Sequence, residues 1–434
     1  MFKLDKFNLT DEQRQVLSVM QSGQNVHIYG EAGTGKSFVL QKFIRSLSDA
    51  ELAKTIVAAP TGIAAINVGG ATLHRSFRIP ITLLNPYKPV KVSPTVKAAR
   101  RIIIDEYSMM RFDIFDYVSR VIFKAEQRNN WNIQLILVGD ALQLPPVIRN
   151  DEYTILHQIW KDLIPNIEHG YPFVHPNWQK FDFVDCHLTK IIRQSGDEEL
   201  IKNENLARVG DSRCLEWFAQ NTARKMDTTA IHICPTNRMA NGINEMRCRQ
   251  FRDRAVFKGE TNGSVGEQDK ITSDVLELAP GMRVMSVVNF ADLEQYQNGS
   301  LGTVVSVNPE VNSVEVKFDN GFQTPIGTYT WDIYNYEVKD SKIIKKVVGQ
   351  YRQIPLRIAY AVTIHKSQGQ TYDKVIIHPE CFEVGQLYVA LSRCRTREGI
   401  FIAGKLRPDY LMVADDALEF YEGLGDQLSG LRWI

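Results

Sequence analysis

The chain has 434 residues, 44% apolar and 23% charged, and its 51 basic and 50 acidic side chains leave a net charge of +1. That length supports two to four domains with a sizeable core, and the near-neutral balance leaves any grip on a polyanion to local patches. With no apolar run long enough to span a bilayer, no signal peptide in "MFKLDKFNLTDEQ" and six cysteines without a C-x-x-C pair, the sequence predicts a cytoplasmic protein without a structural zinc.

The first predicted element is a helix opened by "LTDEQRQVL", where Thr10-x-x-Gln13 has the form of a capping box. "NVHIY", residues 25–29, reads as a short buried strand, and "SFVLQKFIRSL" has helical spacing. Between them lies "GEAGTGKS", Gly30 to Ser37, the G-x-x-x-x-G-K-S pattern in the strand–loop–helix setting it requires. Gly30, Gly33 and Gly35 let backbone N–H groups turn inward around phosphate oxygens, and Thr34 lies in the same cradle. Lys36 is expected to pair with the β- and γ-phosphates of ATP, and Ser37 to offer its hydroxyl to Mg²⁺.

Residues 78–96, "RIPITLLNPYKPVKVSPTV", carry four prolines and no helical period, too long for an ordinary βα loop, and read as a small inserted subdomain. Lys88, Lys91, Lys97, Arg100 and Arg101 form a basic stretch over 88–101, open to either a solvated surface or a binding stripe. "RIIIDEYSMM", Arg101 to Met110, predicts a buried parallel strand ending in two carboxylates, where ligands gather. Asp105 is expected to hold Mg²⁺, and Glu106 to orient and deprotonate the attacking water. "IQLILVGDALQLPPV", Ile133 to Val147, is a third strand ending at Gly139-Asp140. Gln143 on the next turn either senses the γ-phosphate or belongs to a plain strand-to-helix turn.

From about 300 to 354 the period switches to two, with "TVVSV", "SVEVKF", the hairpin signal Asn320-Gly321 and aromatic-rich "TYTWDIYNY". A second basic stretch, 339–357, holds Lys339, Lys342, Lys345, Lys346, Arg352 and Arg357 against Asp340.

"GEAGTGKS", "APTGIAA", "IIIDEYSM", "VGDALQLPPV", "LTKIIRQ", "TIHKSQGQT" and "LYVALSRCR" follow the order and rough spacing of superfamily 1 helicase motifs. The chain resembles the RecD-like and Pif-type branch, superfamily 1B, and residues 106–127 resemble the Pif-type signature segment. The resemblance implies an α/β fold of two RecA-like P-loop lobes, with an inserted wedge subdomain and an inserted SH3-like β-barrel. Residues 1–66 and 97–186 correspond to the first lobe, 67–96 to the wedge, 187–299 and 355–434 to the second lobe, and 300–354 to the barrel. It further implies Mg-ATP hydrolysis between the lobes, driving 5′-to-3′ movement on single-stranded DNA and opening of duplexes, forks and G-quadruplexes. The implied setting is genome maintenance, including DNA repair, recombination and telomere work, by a monomer that can dimerise on DNA. Without a long N-terminal extension, the resemblance is to a minimal bacterial or viral motor, nucleoid-associated in the cytoplasm.

The same resemblance assigns Arg193 and Arg393 as arginine fingers, with Arg395 as competitor for the second. It assigns Thr61, Gly62, His74, Thr236, Asn237, Thr363, His365 and Lys366 to the DNA strand, and Gly369 to the nucleotide side. His74 has a structural alternative as a buried histidine. Gln13 corresponds to an adenine-reading glutamine, a job that competes with the capping box. Two other classes remain: an RNA-directed helicase, distinguished by RNA-preferring ATPase stimulation, and a non-motor nucleotide switch, disfavoured by Glu106 and both arginines.

Overall fold

A computed structural model describes residues 9–80, 82–194, 196–288, 298–339 and 342–425. Contacts divide the chain into two compact units. One comprises Asp5–Ser195, Asn335–Lys346 and Val413–Ile434, the other Met1–Leu4, Gly196–Tyr334 and Val347–Met412. No helix among the described residues is long and apolar enough to cross a membrane.

The first unit is built on a parallel sheet of β1 (Val26–Gly30), β2 (Thr55–Ala59), β3 (Ala71–Thr72), β4 (Arg101–Asp105), β5 (Gln134–Val138) and β6 (Val184–Leu188). Their order is β3-β2-β4-β5-β1-β6. The near-continuous apolar runs exist because both faces are covered. Ile56, Ile102, Ile104, Leu135 and Leu137 face one way, onto Phe115, Val118 and Ile122 of the helix Phe112–Asn129. Val57, Ile103, Ile136, Val138, Val26 and Ile28 face the other, onto Val16 and Met20 of the helix Asp11–Gln21 and Val39, Leu40 and Phe43 of the helix Lys36–Ser46. Gly30 ends β1 where only glycine fits, since a Cβ there would lie 2.1 Å from the Leu188 carbonyl oxygen.

The sequence reading carries the second lobe through to the C-terminus, but the helix Asp415–Gly423 packs in the first unit. Phe420 stacks on Phe173 at 4.1 Å and meets Trp178 edge-on at 5.5 Å, and Asp416 lies 2.9 Å from His169. Burial alone would lower the His169 imidazole, but the hydrogen bond and charge of Asp416 outweigh it and hold its pKa above the ordinary value. A raised folded value stabilises fully below the unfolded pKa and is lost as pH rises through the folded one. Asp416→Asn is therefore expected to lower the melting temperature more at about pH 5.5 than at about pH 8.5. An equal loss at both would mean that the pair carries no charge.

The second unit contains a four-stranded parallel sheet in the order Ala361–Thr363, β7 (Ile231–Cys234), Val375–Ile377, Ile400–Ile402. It also has a five-stranded antiparallel sheet, ordered Gln323–Ile326, Ser313–Phe318, Leu301–Asn308, Arg283–Ser286, Leu356–Ile358. The period-two pattern is explained there: Val314, Val316 and Phe318 are buried, while Glu315 and Lys317 alternate outward. Gly321 takes φ +90° in the turn at Asn320-Gly321. Of the stretch 339–357, Asp340 and the side chains of Lys339, Lys342 and Lys345 lie outside the described residues, while Lys346 and Arg352 are exposed. The α/β class with parallel sheets is as the sequence implies.

Candidate nucleotide and nucleic-acid sites

The phosphate loop spans the end of β1 and the start of the helix Lys36–Ser46. Gly33 and Gly35 adopt φ +87° and +85°, and their neighbours leave no room for a side chain. A Cβ on Gly33 would lie 2.8 Å from Arg193 Cβ, and one on Gly35 2.7 Å from Gln13 Nε2. The Lys36 ammonium donates to the carbonyls of Gly30 (2.7 Å) and Glu31 (3.0 Å), folding over the loop it is expected to serve. Ser37 is exposed at the second position of the helix, and Thr34 is buried with its hydroxyl on Glu31 O at 3.0 Å.

Gln13 performs the capping role and more. Its Oε1 accepts from Thr10 N (3.1 Å), its backbone N–H donates to Thr10 Oγ1 (3.2 Å), and its Nε2 donates to Thr34 O (3.1 Å). One amide therefore ties the N-terminal helix to the phosphate loop. Its neighbour Glu12, which the sequence reading did not single out, accepts from Thr189 N (3.0 Å), Thr189 Oγ1 (2.6 Å) and Lys190 N (3.1 Å). Burial would raise the Glu12 carboxyl, but these donors prevail and hold it below its ordinary range. Nothing in the acidic first turn of "TDEQ" distinguishes this from an ordinary helix-dipole complement, so no local signal was available.

Arg193 lies in the first unit, not on the opposing lobe as its motif position suggests. The reason is β6, which pairs in parallel with β1 from Val26↔Val184 to Gly30↔Leu188 and leads the chain onto the loop. There the N–H groups of Ile192 and Arg193 donate to Gly33 O at 2.9 and 3.3 Å. Arg393 lies in the second unit and is 1% exposed. Its guanidinium donates to Val389 O (2.8 Å), Gln370 O (3.4 Å) and Ser392 Oγ (2.8 Å). Arg395 pairs instead with Asp373 at 3.2 Å on the surface. Gly369, in the turn before Gln370, takes φ +75° with open space around it.

At the end of β4, Asp105 is buried and Glu106 half-buried. Glu106 adopts the left-handed conformation, φ 52° and ψ 44°, which is rare for a residue with a Cβ. Burial and the neighbouring Glu106 charge raise the Asp105 carboxyl, opposed by Lys36. Such a pair wants a cation, and a hydroxyl with one carboxylate, completed by phosphate oxygens, is the oxygen-donor set that suits Mg²⁺. No group of three or more His, Cys, Asp or Glu able to hold a metal occurs among the described residues. Gln143 is buried on the turn after β5, its Nε2 on Asp140 Oδ2 at 3.2 Å.

The DNA candidates fall into two groups, one in each unit. Thr61 starts the helix Gly62–Asn67, with Ala64 N donating to its hydroxyl at 3.3 Å, and His74 is half-buried with its pKa lowered by burial. In the second unit, Thr236 and Thr363 cap the helices Asn237–Cys248 and Ile364–Ser367. Both follow the ends of neighbouring parallel strands, and Asn237, Thr363 and Lys366 line one cavity of about 440 Å³. Asn241, Arg357 and Lys270, the last paired with Glu267 and Asp274, also line it. Of these, only Arg357 belongs to the basic stretch 339–357. In the first unit, Arg78, Lys88, Lys91 and Arg120 line a separate groove of about 550 Å³.

His365 lies 3.7 Å from Glu383, but burial outweighs that carboxylate and holds its imidazole below the ordinary pKa. It is therefore neutral near pH 7.5, whereas Lys366 is exposed. Lys366→Ala is expected to flatten the dependence of log affinity for single-stranded DNA on log salt by about 0.7. His365→Ala should leave that slope unchanged at about pH 7.5. Salt titrations of both variants check this, and an unaltered slope for Lys366→Ala would place it off the strand.

A strand, phosphate loop and helix, in one parallel sheet with a strand ending in paired acids, define a P-loop nucleotide-binding protein of the parallel α/β class. A family model described as PIF1-like helicase matches residues 8–206. Human ATP-dependent DNA helicase PIF1 is 30% identical over 417 residues, covering 91% of this chain and 60% of that protein, so this chain spans well under two thirds of the human relative. ATP-dependent DNA helicase Pif1 of Campylobacter jejuni is 26% identical over 442 residues, covering 92% and 94%. The crystal structure of Bacteroides sp Pif1 in complex with ADP-AlF4 has a TM-score of 0.84 at 33% identity, covering 96% of this chain and 97% of that one. A structure of Pif1 helicase from Bacteroides in complex with ADP-AlF3 and single-stranded DNA has a TM-score of 0.68, and one described as DNA unwinding at forked duplex by two coordinating Pif1 helicases has 0.67. This chain belongs to the PIF1-like helicase family.

Proposed function

We propose that this chain is an ATP-dependent DNA helicase that moves 5′ to 3′ on single-stranded DNA and opens duplex, forked and G-quadruplex DNA. The observation that carries the proposal is the direct bonding of the phosphate loop to its surroundings. Gly33 receives the segment bearing Arg193, and Thr34 receives Gln13. A nucleotide that reshapes this loop acts on both at once.

In this reading Lys36 leaves the carbonyls of Gly30 and Glu31 for the β- and γ-phosphates. Mg²⁺, when bound through Ser37 and Asp105, neutralises phosphate charge. Glu106 removes the proton of the attacking water while Gln143 orients it, and Arg193 and Arg393 neutralise the transferring phosphoryl group. Gln13 spends one donor and one lone pair on the protein, so its amide retains one of each to read an adenine edge. Thr61, Gly62, His74, Thr236, Asn237, Thr363, His365 and Lys366 hold the strand. We assign residues 67–96 to a wedge and 300–354 to an SH3-like β subdomain, between lobes divided as the resemblance implies apart from the segments noted above. The working form is a monomer that pairs on DNA, a reading supported by the solved structure in which two Pif1 helicases coordinate at forked duplex.

The test is an unwinding assay on two duplexes differing only in carrying a 5′ or a 3′ single-stranded tail, with ATPase stimulation by DNA and RNA measured in parallel. The 5′-tailed duplex alone should open, and DNA should stimulate hydrolysis more strongly. Opening of only the 3′-tailed duplex would reverse the polarity, and stronger stimulation by RNA would change the substrate class.

A further inference from the structure

We propose that Tyr421, on the C-terminal helix Asp415–Gly423, is a positioning residue for ATP hydrolysis. Its hydroxyl holds the turn that carries Gln143 and links that turn to the strand end that carries Glu106. The proposal rests on the hydrolytic reading above and adds to it a residue outside every helicase motif in the sequence.

The Tyr421 ring is fully buried and stacks on Tyr29 at 4.7 Å with 15° between planes. Its hydroxyl accepts from Ala141 N at 2.7 Å, and the Tyr171 hydroxyl donates to Ala141 O at 2.7 Å. Both backbone polar groups of Ala141 are thus held by tyrosines. The next two N–H groups, of Leu142 and Gln143, turn back onto Asp140 at 3.2 and 3.1 Å. Ala141, Leu142 and Gln143 are all buried, so water cannot replace the Tyr421 hydroxyl if it is lost.

The relay continues beneath the site. Tyr421 Oη lies 3.4 Å from Tyr107 Oη, which lies 2.8 Å from His27 Nε2, and His27 Nδ1 is 2.7 Å from Asp185. Proton directions along it follow from its two ends. Tyr421 accepts from an N–H that can only donate, and its own proton serves the contact with Tyr107, whose proton is committed to His27. Tyr107 then donates to His27 Nε2, and Nδ1–H donates to the carboxylate. That requires a neutral imidazole, which complete burial of His27 favours. Every bond polarises the next in the same sense, so the chain behaves as one unit. Tyr107 directly follows Glu106, whose left-handed backbone needs its surroundings to hold it. Two catalytic turns are thereby fastened to one hydrogen-bond chain, and Tyr421 is the link between them.

The experiment is Tyr421→Phe in the full chain, which deletes the hydroxyl and keeps the packed ring. DNA-stimulated ATPase is measured for kcat and KM, with affinity for single-stranded DNA measured without nucleotide. We expect kcat to fall about tenfold, the factor carried by one buried donor left unsatisfied. KM for ATP and DNA affinity should stay within about twofold, and Tyr107→Phe, which cuts the same chain one link further on, should reproduce the split. A role in packing alone predicts that kcat, KM and DNA affinity shift together with a drop in melting temperature, and that result overturns the proposal. So does a Tyr421→Phe protein with wild-type kcat. Absence of ATPase in the wild type itself is a separate outcome, and overturns the hydrolytic reading instead.

Discussion

Replacing Glu106 by glutamine is expected to lower ATP turnover by about 10²- to 10⁴-fold, the range that general-base groups supply. ATP binding should survive. The substitution keeps the shape and hydrogen-bonding reach of the side chain while removing its ability to take a proton. It also removes the like charge beside buried Asp105, so the carboxylate proposed to hold Mg²⁺ loses a repulsion and the site should hold nucleotide at least as well. Lys36 and the glycine-shaped loop, to which we assign the binding, are untouched. The measurement is single-turnover hydrolysis beside equilibrium binding of a fluorescent ATP analogue. Hydrolysis near the wild-type rate would remove Glu106 from its role, and lost binding would show that its left-handed backbone, not its chemistry, is what the substitution disturbed.

Arg393→Ala is expected to lower kcat by about 10³-fold or more, the scale of arginine fingers. Affinity for single-stranded DNA without nucleotide should change little. The structure sharpens the controls. Arg393 is buried against two carbonyls and a hydroxyl of its own unit, so truncation also leaves acceptors unpaired. Arg393→Lys, which keeps the charge but not the planar fork, separates the two effects: it should restore melting temperature more than turnover. Arg395, in an exposed pair with Asp373, provides the contrast, and Arg395→Ala should alter turnover only slightly. Normal turnover with weakened DNA binding in Arg393→Ala would move that side chain into the strand channel.

The sequence by itself determined the elements whose physics is local. The phosphate loop was legible because Gly33 and Gly35 must take positive φ, and a strand and helix flank them within a few residues. Three strands of the parallel sheet, β1, β4 and β5, announced themselves as apolar runs, the pattern of a sheet covered on both faces, whereas β6, "VDCHL", did not. The Thr10–Gln13 capping box was legible because its partners are three residues apart. What the tertiary structure alone decided is which of these pieces meet. Apolar periodicity says that a strand is buried, not that β1 lies between β5 and β6, and that placement is what carries Arg193 onto Gly33. Gln13 reaches Thr34 across 21 positions, Glu12 reaches Thr189 across 177, and Tyr421 reaches Ala141 across 280. In the sequence Glu12 is one acid in a helix's first turn and Tyr421 one aromatic among sixteen tyrosines. Their roles come from directional hydrogen bonds formed only after the sheet has brought distant segments within about 3 Å, and no local pattern encodes that distance.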